Sequence, residues 1–161
     1  MTYFSKMKTA TVKQVKDELE NLSQPELVNL CLRLVKFKKE TKELATYLLF
    51  HNNEDSYVAG VEEILLELFG DVNTRNLYIG KKNLRKIIRT VNRYIKYSNE
   101  STTEIDLLIF VCLEIKKLRI DMKKSAQINN LYLSQLKKIK SRISGLHEDL
   151  QYDYEKKLSD L

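Results

Sequence analysis

Apolar residues recur at spacings of three and four along most of this chain, the period of an amphipathic helix. Val12, Val15 and Leu19 share one face of a first helix over residues 11–21. A start signal follows in Ser23-Gln24-Pro25-Glu26. Ser23 can cap, Pro25 stands where a missing N–H costs nothing, and Glu26 lies where a capping box needs it. The second helix carries Leu27, Leu30, Cys31 and Leu34 on its inner face. Val28, Leu32 and Val35 widen the apolar arc, which predicts burial on two sides. Thr41 opens a third, shorter helix with Leu44, Tyr47, Leu48 and Phe50, ending near residues 51–53.

A fourth helix starts near Asp55, with Val58, Val61, Leu65 and Leu68 as its stripe and Gly70 as its stop. Gly60 inside it costs helix stability relative to alanine, so the sequence predicts a close helix contact there. Residues 71–80 read as the one long loop. Residues 81–97 form a fifth helix whose core face is Leu84, Ile87, Ile88, Val91 and Ile95. The run 107–113 taken alone could be a buried strand. Its continuation through Ile115, Leu118 and Met122 keeps helical spacing, and no second strand exists to pair with it, so it reads as the central helix. From Ala126 onward, Tyr132, Leu136, Ile139, Ile143, Leu146 and Leu150 make a heptad-like seam. One long helix packed along its neighbours explains the seam, and Gly145 can divide it in two.

The pattern therefore predicts an all-α single domain over residues 1–161, either a multi-helix bundle or a short solenoid-like stack of helical hairpins. One proline and four glycines leave little material for long loops, which supports that reading. The longest apolar run is seven residues, far short of the roughly 20 that span a bilayer, and the first residues lack the apolar core of a signal peptide. A cytoplasmic protein without a membrane partner is expected. Cys31 and Cys112 then read as small buried hydrophobes in a reducing compartment, since no CxxC spacing is present.

Charge changes the picture most in the fifth helix. No acidic residue occurs between Asp71 and Glu100, and Lys82, Arg85, Arg89, Arg93 and Lys96 fall three or four apart along one helical face. Such a row repels itself by a few tenths of a kcal/mol per pair. Either a phosphate backbone or acidic protein surface relieves the repulsion, or carboxylates such as Glu62, Glu63 and Glu67 neutralise it within the fold.

Other candidate chemistry is thin. Gly80-Lys81-Lys82 fails as a phosphate loop, because Arg75 stands where the earlier glycine belongs and Lys82 where Ser or Thr belongs. Near the end, Asp149 and Asp153 share a helical face, which makes a hard-cation site conceivable. His147 would point elsewhere as a surface or capping histidine, and His51 sits at a helix end where a cation suits the dipole. No catalytic, cofactor-binding or metal-ligating residue is assigned. With two histidines in the chain a catalytic triad has little to draw on, so an enzyme is not the expected class.

The segment VKQVKDELENLSQPELVNLCL, the basic helix 81–97 and residues 145–154 together resemble a bacterial family of small all-helical proteins of unknown function. The resemblance covers under half of the chain. It implies an all-helical cytoplasmic protein and assigns no activity or site residue. The leading functional expectation is a helical protein-binding or scaffold module with an unidentified protein partner. The alternative is a nucleic-acid-associated protein using helix 81–97.

Overall fold

The computed structural model describes residues 9–159, and among these every regular element is helical. Packing divides the chain between Thr46 and Tyr47 into two units.

The N-terminal unit holds α1 (Val12–Glu20), α2 (Gln24–Phe37) and the first part of α3 (Lys39–Phe50). Thr11 caps α1, its hydroxyl accepting from the Gln14 N–H at 3.3 Å. At the start of α2 the Glu26 carboxylate accepts from the Ser23 N–H at 2.8 Å and the Ser23 hydroxyl at 2.6 Å. The predicted start signal is therefore present. The predicted two-sided burial is not: no described residue of this unit is buried, and Cys31 is exposed rather than sequestered. Periodicity demands a cover for an apolar face but does not say that the same chain supplies it.

The larger unit contains α4 (Glu54–Gly70), α5 (Leu77–Ser98), α6 (Ser101–Lys117), a 3₁₀ turn (Met122–Lys124), α7 (Ala126–Ile143) and α8 (Glu148–Leu158). The ambiguous run 107–113 is helical and central. α6 packs on α4, α5 and α7, which is why Leu107, Leu108, Val111 and Cys112 are all fully enclosed. Leu65, Leu84, Val91, Ile128 and Ile139 close the core from the surrounding helices. Enclosure in this apolar setting pushes the Cys112 thiol up to about 12.

α5 begins four residues earlier than its apolar pattern predicts. The Asn76 side chain accepts from the N–H groups of Tyr78 and Ile79 at 3.1 and 3.2 Å, drawing residues 77–80 into the helix. Gly80 is buried there because a Cβ would stand 2.5 Å from the Asn73 carbonyl oxygen. Gly60 behaves oppositely to expectation: a Cβ at Gly60 would meet nothing within 4 Å, so no close helix contact explains it. Gly145 does separate α7 from α8.

The far end of α5 is held by one carboxylate. Glu54, at the first turn of α4, accepts from Ser98 Oγ at 2.9 Å, Thr103 Oγ1 at 2.6 Å and Tyr47 Oη at 2.5 Å. Three helix ends thus meet at one group, which fixes where α5 stops and α6 starts.

Candidate nucleic-acid interface

Along α5 the apolar side chains of Leu84, Ile87, Val91 and Ile95 turn into the core, so spacing alone forces the basic residues outward. Lys82, Arg85, Arg89 and Lys96 are exposed, and Arg93 is half-buried within the row. At 1.5 Å per residue the row spans about 21 Å.

Among the described residues, no carboxylate lies within ion-pair distance of Lys82, Arg85, Arg89 or Lys96. Glu62, which the sequence offers as a neutralising partner, sits elsewhere. Partial burial raises its pKa, and the nearby carboxylates of Asp106 and Glu114 raise it further. The carboxylates that raise it, Asp106 and Glu114, both stand on α6. Glu63 and Glu67 are exposed on α4 and make no ion pair with the row among the described residues.

The row is half of the site. α5 packs on α7, and facing residues advance in step along both, so the two helices run in the same direction. Lys81 Nζ donates to Gln127 Oε1 where both helices begin. Further along, Lys82, Arg85, Ile88 and Arg89 face Leu131 across a furrow. Further along the same two helices, a separate cleft of about 410 Å³ gathers Asn92 and Lys96 with Lys138 and Arg142. α7, like α5, contains no acidic residue. Two adjacent acid-free helices therefore line the furrow, while the start of α6, with Glu100 and Glu104, closes the cleft.

The walls are not uniformly free. Arg142 Nε pairs with Glu104 Oε2 at 2.7 Å, and Glu100 also borders the cleft. At the opposite end exposed Tyr78 lies beneath two ammonium groups, with Lys82 Nζ 4.5 Å from its ring centroid. No family model, curated protein or solved structure matches this chain.

Sequence reasoning found the α5 row and missed Lys138. Lys137, Lys138 and Lys140 stand together in sequence on different sides of α7, and only the packing shows which of them meets α5. At the C-terminus, His147 is the N-cap residue of α8, and its Nδ1 lies 3.5 Å from Asp149 Oδ2 instead of pointing elsewhere. Both side chains are largely exposed. No group of three or more metal-ligating side chains occurs among the described residues.

Proposed function

We propose that this protein is a nucleic-acid-associated helical module that holds a phosphate backbone in the furrow between α5 and α7. One observation carries the reading: Lys82, Arg85, Arg89 and Lys96 stand exposed along an acid-free helix, with no carboxylate partner among the described residues, beside a second acid-free helix. A row of like charges about 21 Å long is a cost to the isolated fold. A polyanion removes that cost and releases its own condensed counterions on binding.

The furrow suits backbone contact rather than base reading. Lys82, Arg85 and Arg89 line it beside Ile88 and Leu131, and their ammonium and guanidinium groups grip phosphate oxygens without regard to sequence. DNA and RNA of equal length are thus expected to bind with similar affinity.

Fluorescence anisotropy with labelled 20-nucleotide-scale DNA and RNA at low salt tests the proposal. The parent protein should bind both. The variant Arg85→Glu/Arg89→Glu/Lys138→Glu should lose binding while keeping its circular dichroism and melting temperature. An unbound parent, or a triple variant that binds as well as the parent, would remove the reading.

A further inference from the structure

The N-terminal unit carries a second, chemically different surface. Val28, Leu32, Leu34 and Phe37 of α2 are exposed to 52%, 49%, 53% and 77%. A helix draws most of its stability from burying apolar surface, and here these side chains are left in water.

The exposed apolar surface is concave at one place. Lys38 adopts an extended backbone between α2 and α3 and bends the chain. In the bend lies an open groove of about 510 Å³. Leu32 and Val35 form its floor, and Lys36, Lys38, Lys39 and Lys42 form its rim. Lys39 reaches Glu43 at 3.7 Å, and among the described residues Lys36, Lys38 and Lys42 have no carboxylate partner. Their aliphatic stems extend the apolar wall while the charged heads stand above it.

We propose that this groove receives an acidic amphipathic helix of a partner protein. The floor requires an apolar side chain from the occupant, and the rim requires negative charge on both flanks of it. A helix with leucine-like residues at i, i+3, i+4 and i+7 and carboxylates beside them supplies both. A nucleic acid satisfies the rim but leaves Leu32 and Val35 uncovered. An anionic bilayer offers negative charge but no discrete helix to fill the groove, and vesicle binding distinguishes it. The groove lies in a different unit from the furrow of α5 and α7.

The test uses the full-length protein and two fluorescein-labelled synthetic peptides. One places leucines along a single helical stripe flanked by glutamates; the other has the same composition in scrambled order. The striped peptide should bind saturably. The scrambled peptide should bind at least about tenfold more weakly. Lys36→Glu/Lys38→Glu/Lys42→Glu should weaken the striped peptide at least about tenfold, and so should Leu32→Ser/Val35→Ser. Arg85→Glu/Arg89→Glu/Lys138→Glu should leave it unchanged, which separates the groove from the furrow. The proposal is overturned by equal binding of both peptides, by no binding, or by binding that depends on the furrow residues. It is equally overturned if the lysine reversal abolishes attachment to phosphatidylserine vesicles, or self-association by sedimentation, while the peptide never binds.

Discussion

Arg142 Nε lies 2.7 Å from Glu104 Oε2, joining α7 to α6 at the edge of the basic cleft. This pair separates Arg142 from Lys82, Arg85, Arg89 and Lys96, whose positive charges have no carboxylate partner among the described residues. The furrow is therefore blunted at one end by an internal anion. Glu104→Gln should free the guanidinium and remove a repulsive charge from the path of a polyanion. Binding of duplex DNA is expected to tighten several-fold at low salt. Stability should fall by roughly 1 kcal/mol or less, because Arg142 is more than half exposed. Unchanged or weaker binding would show that the cleft lies outside the contact surface.

The sequence made α5 legible and α7 much less so. In α5 the apolar and basic positions keep separate faces of one helix, so local spacing was enough. The role of Lys138 depends on which side of α7 meets α5, and no local pattern records that. The expected partners Glu62, Glu63 and Glu67 were close to α5 in sequence, but Glu62 faces Asp106 and Glu114 instead. The α2 face was legible as apolar, yet its cover is not among the described residues. Cys31 shows the same limit, being apolar in context and exposed in the fold.

Glu54 should act as a pH-dependent clamp. Partial burial pushes its carboxyl up, but hydrogen bonds from Thr103, Tyr47 and Ser98 outweigh this and leave it below the ordinary value. A carboxyl depressed in the folded state contributes stability above its unfolded-state pKa and loses it as pH falls through the folded-state one. Glu54→Gln is thus expected to cost about 1–3 kcal/mol at neutral pH. The difference should shrink as pH drops below about 4. Urea melts of both proteins across that range measure it, and a pH-independent difference would contradict the clamp.

Two helical glycines should respond in opposite directions to alanine. Gly60→Ala meets open space and is expected to stabilise by about 0.5–1 kcal/mol through helix propensity. Gly80→Ala places its methyl 2.5 Å from the Asn73 carbonyl oxygen and should destabilise by about 1–3 kcal/mol. Thermal melts of the pair decide whether the loop before α5 is packed as tightly as the structure shows.

The two cysteines should separate cleanly under a thiol reagent. Cys31 is exposed and should react within the native protein. Cys112 is enclosed and its thiol is pushed up to about 12, so it should react only on unfolding, at least about tenfold more slowly. Equal native reactivity would contradict the placement of α6 at the centre.

The central claim is that the furrow of α5 and α7 binds phosphate, and the salt dependence of duplex binding tests it most directly. With Lys82, Arg85, Arg89, Lys96 and Lys138 engaged, log K should fall against log salt concentration with a slope of about −4.5. Arg85→Glu/Arg89→Glu should flatten that slope by about two units or abolish binding. A slope near zero, or no binding by the parent protein at about 50 mM salt, would contradict the claim.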